Sequence, residues 1–481
     1  MLAALTEILY WILIVALLAA GLWFTIRSRF VQFRFFGRMF GILGQAFRRS
    51  GGKPTSFQAL ALSVSGRVGA GNIAGVAVAI TLGGPGAIFW MWLVGLLGMA
   101  TSFFECSLAQ LFKRLEPSGN YRGGPAFYIT RGLRKRLGAG APALAGLYSV
   151  LLLVTFGLAF PTVQSYSFST SFSDAFDMPK VYMGFLLASV LAIVIFGGVR
   201  RIARTAEIVV PVMAVAYIAV ALFVIVTNIE AMPSVLGTIV AGAFGLEEAI
   251  GGGLGAALVM GVRRGLFSNE AGLGSAPNVA AVAYVRHPAQ QGMVQALSVF
   301  IDTAIICTCT AAIILSSGID IDDPTIDGVI LTQNALEMHV GAWAPGFIAV
   351  ALGFFAFTSI MYSYYLGETA IDYYTGENRL AFDTFRTAIV ALAFTGSLMD
   401  LTTVFSYADV TMALLAFVNL FAVAMLFRIG LRILTDFDRQ LKAGQDPVFD
   451  PADFADLEID ETAWEPEPAD VPPSPTGAAG R

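Results

Sequence analysis

An apolar segment near the N-terminus carries residues that form helices poorly and can bind a ligand. The segment runs from about residue 57 to residue 82, which is long enough to cross a bilayer. Its middle contains four glycines, a charge and an amide: Gly66, Arg67, Gly69, Gly71, Asn72 and Gly75. Each glycine lowers the helix preference by about 1 kcal/mol relative to alanine, and backbone groups freed in hydrocarbon are costly unless a partner satisfies them. We therefore expect a broken membrane helix that lines a cavity. The alternative is an unbroken helix whose glycines permit close packing.

A second glycine-rich break lies in a later apolar segment, between about residues 236 and 262. Its centre runs from Gly245 to Gly255 and includes three consecutive glycines, Gly251, Gly252 and Gly253. An unwound helix offers N–H groups that suit a carboxylate and carbonyl groups that suit Na⁺. An amino acid zwitterion with a sodium ion needs both kinds of group within a few ångströms. Two breaks that meet near the middle of the bilayer are therefore expected to form one substrate site.

Two adjacent hydroxyl groups, Thr358 and Ser359, lie in a third apolar segment. Hydroxyl groups can complete a site for a hard cation together with carbonyl groups of a broken helix opposite. The alternative is that both hydroxyl groups donate to carbonyl groups of their own helix. Beside two broken helices, the cation site is the preferred interpretation.

The elements that must position these residues are membrane helices. Of the 481 residues, 57% are hydrophobic and 13% are charged, whereas a soluble globular protein has about 25% charged residues. We predict eleven spans, at about residues 3–26, 57–82, 87–111, 144–171, 181–196, 208–227, 236–262, 291–316, 343–372, 386–400 and 407–431. All but two of the 29 basic residues then fall on one side; the exceptions are Arg67, inside a span, and Lys180. The positive-inside rule places the N-terminus outside and the C-terminus in the cytoplasm.

The two breaks lie at matching positions of two five-span halves, as expected for an inverted repeat. The chain then divides into four parts: an extra N-terminal transmembrane helix with a basic cytoplasmic segment (1–54), a first repeat (55–230), a second repeat (231–442) and a cytoplasmic tail (443–481). The tail is acidic and rich in proline, and it has little apolar surface to bury. We expect it to be disordered.

Other classes of protein find little support in the sequence. The three cysteines lie in apolar segments and only two histidines occur, so neither a disulfide framework nor a metal cluster is expected. No nucleophile–base pair indicates an enzyme, and no basic stretch indicates nucleic-acid binding. A group of aspartates before the ninth span loosely resembles a calcium loop but lacks its glycine and terminal glutamate, which favours a solvated loop: Asp320, Asp322, Asp323 and Asp327.

Ionisable residues within spans are candidates for function. Arg67 is expected to pair with Glu270, Asp302 or Glu105, either as a structural ion pair or as a cytoplasmic gate. Asp302 is either a proton or cation site or a residue that caps or bridges helices.

Several segments resemble signature segments of the alanine or glycine:cation symporter family. They are residues 68–77 with 83–87, 123–126, 264–277, 287–288 with 291–292, and 300–303. The resemblance covers residues 55–431. It implies an all-α LeuT-type 5+5 inverted repeat preceded by the extra N-terminal helix. It also implies uptake of a small neutral amino acid across the plasma (inner) membrane, coupled to Na⁺ or in some members to protons, without an organic cofactor. A proton-coupled symporter, a transporter-like channel and a nutrient sensor are the alternatives, and the oligomeric state is left open.

The resemblance also implies roles for individual residues. The substrate carboxylate would be cradled by five consecutive residues, Val68, Gly69, Ala70, Gly71 and Asn72. Gln164 would face the substrate, although an interhelical hydrogen bond is the alternative. The remaining substrate-binding positions are Gly252, Gly253 and Ser363. Sodium would be bound by the carbonyl groups of Ser65 and Val68 and by the hydroxyl groups of Thr358 and Ser359.

The sequence departs from the family pattern where family members commonly carry bulky residues. Gly253 stands at the position of an aromatic residue, Ser363 at that of a tryptophan, and Ala70 at that of a threonine. An aromatic side chain covers about 150–250 Å² of surface, so its loss would enlarge the pocket. We predict a substrate larger or more polar than alanine, such as glutamine or serine, unless Tyr362 fills the space.

Overall fold

The structure, a computed structural model, describes residues 2–45, 55–117, 119–197, 199–245, 253–321, 323, 328–376 and 378–464. The described chain is almost entirely helical. The helices of its first half are α1 (Leu2–Arg27), α2 (Val31–Arg34), α3 (Phe36–Gln45), α4 (Ser56–Arg67), α5 (Val76–Gly83), α6 (Ala87–Leu111), α7 (Pro125–Gly132), α8 (Arg134–Leu137), α9 (Gly140–Val154), α10 (Phe160–Phe176), α11 (Lys180–Ile195) and α12 (Val199–Thr227). Those of the second half are α13 (Met232–Ala243), α14 (Gly253–Asn269), α15 (Ser275–Ala280), α16 (Pro288–Val299), α17 (Thr308–Ser316), α18 (Gly328–Val340), α19 (Ala344–Thr375), α20 (Arg379–Gly396) and α21 (Leu401–Lys442). Three stretches are π-helical, Gly71–Gly75, Thr155–Ala159 and Phe300–Cys307.

Within the described residues, seven helices or continuous helix pairs are long and apolar enough to cross a membrane. The bent pair of α4 with the segment that ends at Gly83 makes an eighth, and α11 and α13 are shorter apolar helices. All of them coincide with predicted spans, so the polytopic all-α class is confirmed. The total of eleven spans stays a prediction. The extra helix α1 packs against α6 and α21, where the Tyr10 hydroxyl donates to the Asp409 carbonyl oxygen at 2.8 Å.

The first predicted break is present. Helix α4 begins with a capping box, in which the Thr55 hydroxyl accepts from the Gln58 N–H at 3.1 Å, and ends at Arg67. Val68 is extended (φ −81°, ψ 101°), and the chain then continues through the π-helical turn into α5 at an angle of 48°. Close packing contributes as well, because a Cβ added at Gly66 would lie 2.2 Å from the Tyr362 ring. Both interpretations of the glycines therefore hold, at different positions.

The structure describes the two helices that flank the second predicted break. Helix α13 ends at Ala243 and α14 begins at Gly253; residues 246–252 lie outside the described residues. Gly245 (φ +68°) and Gly253 (φ +63°) both adopt left-handed backbone conformations, which favour glycine. The positive φ angles explain why glycine stands at both ends of this interruption.

The loop after α6 contains a small folded layer, called the loop layer below. After α6 the chain makes an antiparallel hairpin of strands β1 (Arg114–Leu115) and β2 (Tyr121–Arg122), with Arg114 opposite Arg122. In this hairpin Arg122 and Arg114 bind Asp372 of α19, at 3.4 and 3.2 Å. The hairpin thus ties the loop after α6 to the end of α19.

The prediction of a disordered tail is wrong for residues 443–464. This part contains two 3₁₀ turns (Pro451–Phe454 and Glu461–Trp464) and folds against the loop layer, where the Leu115 N–H donates to Asp460 at 3.1 Å. The Phe449 N–H donates to the Arg286 carbonyl oxygen at 2.8 Å, and the Phe449 and Trp464 rings lie 4.5 Å apart. Arg432 binds both carboxylate oxygen atoms of Asp456 at 2.9 Å, which lowers the pKa of Asp456. Aromatic residues spaced along an acidic segment can bury themselves on a basic surface, and a prediction from average composition overlooks this.

Candidate substrate and cation site

The first break forms a buried turn that is rich in hydrogen bonds. Residues 68–72 are all buried. The Asn72 side chain folds back so that its Oδ1 accepts from the Gly69 N–H at 2.9 Å, while the Asn72 N–H donates to the Gly69 carbonyl oxygen at 3.2 Å. This return of an asparagine side chain onto its own turn stabilises the non-helical backbone. The turn is therefore preformed.

Gln164 of α10 reaches the same turn. Its Oε1 accepts from the Ala70 N–H at 2.9 Å, and a Cβ added at Gly69 would lie 2.9 Å from its Nε2. This is the interhelical hydrogen bond given as the alternative role. It also puts an amide oxygen where a carboxylate oxygen can accept the same hydrogen bond.

Three of the four predicted sodium ligands lie together. The Ser359 hydroxyl of α19 donates to the Ser65 carbonyl oxygen at 2.7 Å and lies 3.5 Å from the Val68 carbonyl oxygen. The Thr358 hydroxyl instead donates within its own helix, to the carbonyl oxygen atoms of Phe354 and Phe355 at 3.0 and 3.1 Å. A hydroxyl that donates in this way keeps its lone pairs, so Thr358 can still act as a ligand.

The other predicted substrate-binding residues differ in burial. Ser363 is buried on α19, four residues beyond Ser359. Gly253 is exposed at the start of α14, and a Cβ added there would meet none of the described atoms within 4 Å. Gly252 lies outside the described residues. The structure thus groups Ser363 with the buried residues of α19 and leaves Gly253 apart from the packed turn.

An aromatic wall beside the turn was not predicted from the sequence. A Cβ added at Gly71 would lie 2.9 Å from Phe267 of α14. The Phe267 ring stacks on Phe160 of α10 at 4.7 Å and lies 5.5 Å from Phe405 of α21. Phenylalanine at helical spacing is indistinguishable from ordinary core in a sequence, so no signal separated these rings from the rest of the apolar residues.

Comparison with known proteins identifies the family. The family model described as the sodium:alanine symporter family matches residues 1–451. The chain belongs to this family. Similar curated proteins include the amino-acid carrier protein AlsT of Bacillus subtilis, 46% identical over 94% of each chain. Another is the probable sodium/glutamine symporter GlnT of the same organism, 46% identical over 91% of this chain and 90% of that one. A third is the sodium/proton-dependent alanine carrier protein of Bacillus sp. strain PS3, 38% identical over 83% and 92%.

A solved structure supports the fold of this family member. A mutant of the manganese transporter of Eremococcus coleocola matches with a TM-score of 0.53 at 13% identity, over 79% of this chain and 84% of that one. At this identity the likeness concerns the fold alone. It confirms the predicted LeuT-type architecture.

Arg67 does not form the ion pair expected from the sequence. Its guanidinium binds Ser298, the carbonyl oxygen and Oε1 of Gln295 at 3.2 and 3.3 Å, and the Ser102 hydroxyl at 3.1 Å. Among the described residues no carboxylate lies within 4.0 Å of it. Neutral oxygen atoms from α6 and α16 bind the two terminal nitrogen atoms of the guanidinium, whereas its Nε has no hydrogen-bond partner among the described residues.

A buried ion pair that was not predicted from the sequence lies close to the first break. Arg264 of α14 binds both carboxylate oxygen atoms of Asp409 on α21 at 2.6 Å. Arg264 precedes Phe267 by three residues, so the pair and the aromatic wall lie on the same side of α14. The Arg264 guanidinium also lies 4.7 Å from the centre of the Phe405 ring. This pair holds α14 to α21 next to the first break.

The candidate proton or cation residue Asp302 lies against the turn. Its Oδ1 accepts from Asn72 Nδ2 at 2.7 Å, and its Oδ2 accepts from the hydroxyl groups of Ser268 and Thr303 at 2.6 and 3.0 Å. The π-helical stretch Phe300–Cys307 positions it. Asp302 thus bridges the first break to α14.

Proposed function

We propose that the protein is a secondary transporter that carries a small neutral amino acid into the cell together with Na⁺ by alternating access. One observation carries the proposal. Within the buried turn from Ser65 to Ala70, two carbonyl oxygen atoms face the Ser359 hydroxyl while the Ala70 N–H faces an amide oxygen. Acceptors for a cation and a donor for a carboxylate therefore lie within six consecutive residues. A zwitterion with a sodium ion needs this combination.

The carboxylate end of the proposed site is the N-terminal side of the continued helix. The Gln164 oxygen occupies the acceptor position on the Ala70 N–H, and a substrate carboxylate would take that position. Gln164 would then turn its Nε2 towards the same carboxylate. The partial positive charge of the helix end that continues from Gly71 favours the anion.

The cation end of the proposed site joins α4 to α19. Carbonyl and hydroxyl oxygen atoms are ligands that suit a hard cation. Na⁺ would bind the carbonyl groups of Ser65 and Val68 and the hydroxyl groups of Thr358 and Ser359. Its charge would offset that of the substrate carboxylate, so each would raise the affinity for the other by the same factor.

Direction and energy follow from the proposed topology. With the N-terminus outside and the C-terminus in the cytoplasm of the plasma (inner) membrane, inward movement of each Na⁺ supplies about 2.3 kcal/mol per 100 mV of inside-negative potential. All residues of the turn are buried, which corresponds to a closed step of the cycle. Release requires the bent segments to move relative to α19 and α21.

The proposed substrate is alanine-like or glycine-like, with an extension towards serine or glutamine. One similar relative is named for alanine and another for glutamine. Ser363 is small and buried on α19, and it occupies less volume than the tryptophan that family members commonly carry there. Tyr362, the residue that could refill this space, packs against Gly66 instead and donates to Glu270 at 2.9 Å.

The purified protein in proteoliposomes tests this proposal. We expect an inward Na⁺ gradient to drive uptake of labelled alanine, and this uptake to exceed uptake with K⁺ or Li⁺. We expect serine and glutamine to compete. Competition by glycine and alanine alone would exclude the enlarged pocket, and conductance far above transporter turnover would instead indicate a channel. Absence of uptake and exchange under every ion gradient would contradict the proposed function itself.

A further inference from the structure

Asp302 is a buried carboxylate with only neutral partners among the described residues. It is fully buried, and its three hydrogen-bond donors are Asn72, Ser268 and Thr303. No basic nitrogen of the described chain lies within 4.0 Å of it. A buried carboxylate without a counter-ion is costly in hydrocarbon, and such residues are candidates for function by default.

The charges that face Asp302 do not balance. Arg67 on α4 interacts electrostatically with three fully buried acids: Asp302, Glu105 on α6 and Glu270 after α14. One positive charge against three negative charges leaves a net charge of −2 when all are ionised. The nearby Arg264 is already paired with Asp409. This group of four residues therefore reaches neutrality only with two further positive charges, as protons or cations.

Among the three acids, Asp302 alone contacts the first break. Glu105 accepts from Asn419 at 2.8 Å and from the Gly272 N–H at 3.3 Å. Glu270 accepts from Tyr362 and from Ser275 at 2.6 Å. Asp302 instead binds Nδ2 of Asn72, whose Oδ1 holds the Gly69 N–H. A change of charge at Asp302 thus affects the proposed carboxylate cradle through the Asn72 side chain, which bonds to both.

The donors around Asp302 favour a proton over Na⁺. The hydroxyl groups of Ser268 and Thr303 can rotate from donating to Asp302 to accepting from it, so a proton on Oδ2 needs no heavy atom to move. Ser268 can then donate to Cys307 Sγ, which lies 3.1 Å away. Na⁺ would find oxygen ligands in the Ser268 and Thr303 hydroxyl groups, but the Asn72 amide presents its N–H groups to Asp302 while its oxygen is engaged on Gly69, and N–H groups repel a cation.

We propose that Asp302 is the residue that carries a proton in the transport cycle of this protein. The proposal rests on the proposed function and adds proton coupling at a named atom. When the site opens outward, an aqueous proton binds the Asp302 carboxylate and forms a carboxylic acid. When the site opens inward, the same proton returns to water. The amino acid moves with it because Asn72 joins Asp302 to the cradle.

The test compares net uptake with exchange in proteoliposomes that contain a pH-sensitive dye. In the unmodified protein, an inward proton gradient should drive accumulation of alanine, and uptake should acidify the interior. Asp302→Asn keeps the shape and mimics the protonated acid. It should keep exchange of labelled for unlabelled alanine, while proton-driven accumulation and acidification fall to the level of protein-free liposomes.

Two further variants separate coupling from structure. Glu105→Gln removes a buried acid that does not contact Asn72, and it should keep proton-driven accumulation. Asp302→Glu should keep that accumulation with a shifted dependence on external pH, which a purely structural role would not produce, and it provides the measurement if Asp302→Asn does not fold.

Three results would overturn the proposal. They are proton-driven accumulation by Asp302→Asn, no proton movement by the unmodified protein while it takes up alanine, and loss of Na⁺ dependence alone in Asp302→Asn, which would make Asp302 a sodium ligand. Complete absence of uptake and exchange in the unmodified protein would instead contradict the proposed function.

Discussion

The two glycine-rich breaks look alike in the sequence but differ in the structure. Around the first break, a Cβ added at Gly69 would lie 2.6 Å from the Ser359 hydroxyl, and one at Gly71 would lie 2.9 Å from Phe267. Around the described end of the second break, a Cβ at Gly253 or at Gly255 would meet none of the described atoms within 4 Å. Glycine at the first break permits close approach of neighbours, whereas Gly253 serves a left-handed backbone.

The difference lies in how closely neighbouring side chains hold the backbone at each break. The first break is preformed, since Asn72, Gln164 and Ser359 each bind its backbone. The described start of α14, at Gly253 and Gly255, has no such close neighbours among the described residues. We infer that the first break holds in place the groups that the proposed site would use.

The largest effect is expected at Gly69. Gly69→Ala forces a methyl group against Ser359 and Gln164, and overpacking of this kind costs about 1–3 kcal/mol. Because both neighbours belong to the proposed site, we expect loss of amino acid uptake with the protein still in the membrane. Uptake in proteoliposomes and thermal unfolding in detergent measure the two quantities. Gly255→Ala is the matched control, and equal loss in both variants would remove the distinction between the breaks.

The next effect concerns charge at the first break. Gln164→Glu puts a carboxylate beside the Ala70 N–H, where it repels the substrate carboxylate. We expect the KM for alanine to rise about tenfold, which corresponds to about 1.4 kcal/mol, with a smaller change in kcat. Gln164→Met has similar length and no charge, so it controls for packing. A KM for Gln164→Glu equal to that of Gln164→Met would show that the carboxylate does not bind here.

A more selective effect is expected for the cation. Ser359→Ala removes the hydroxyl that contacts the Ser65 and Val68 carbonyl oxygen atoms, so the Na⁺ concentration for half-maximal uptake should rise. Removal of one hydrogen-bonding partner typically costs about 0.5–1.5 kcal/mol, and the Na⁺ dependence should shift accordingly. Thr395→Val removes a hydroxyl of α20 that bonds within its own helix and should leave the Na⁺ dependence unchanged. An unchanged Na⁺ dependence of uptake for Ser359→Ala would show that the cation does not bind at Ser359.

The comparison of the breaks also marks the limit of prediction from the sequence. The break at residues 66–75 was predictable because its glycines disfavour a helix. The freed backbone groups, the charge and the amide then need polar partners in hydrocarbon. The pairing of Ser359 with that break was predicted from its hydroxyl group, and the family resemblance supplied Ser65 and Val68 as its partners. The partners of Arg67 were not, because several acids and neutral oxygen atoms lie within reach of a long side chain and a sequence cannot rank them. Arg264 with Asp409, and the rings of Phe160 and Phe267, depend on how distant helices pack.

The tail shows a second limit of prediction from the sequence. Average composition predicted disorder after residue 443, yet Phe449 packs on both Phe454 and Trp464, and Trp464 lies against Lys113 of the loop layer. Three aromatic residues among many acids barely change the composition. They bury apolar surface nevertheless, and the acids between them find basic partners such as Arg432. Spacing of the aromatic residues would have been the more informative signal.

The smallest effects are expected at the second break. They distinguish the effect of an added methyl group on packing from its effect on backbone conformation. Gly255 lies within α14, so Gly255→Ala should stabilise the helix by about 1 kcal/mol and change uptake little. Gly253 has equally open surroundings but a φ of +63°, so Gly253→Ala should instead destabilise the protein by about 1–2 kcal/mol. Thermal unfolding of both variants in one detergent gives the comparison, with uptake of alanine and glutamine measured in parallel. If Gly255→Ala lowers uptake of glutamine more than that of alanine, the substrate occupies the open space at the start of α14 during transport. This end of the second break then contributes to substrate specificity.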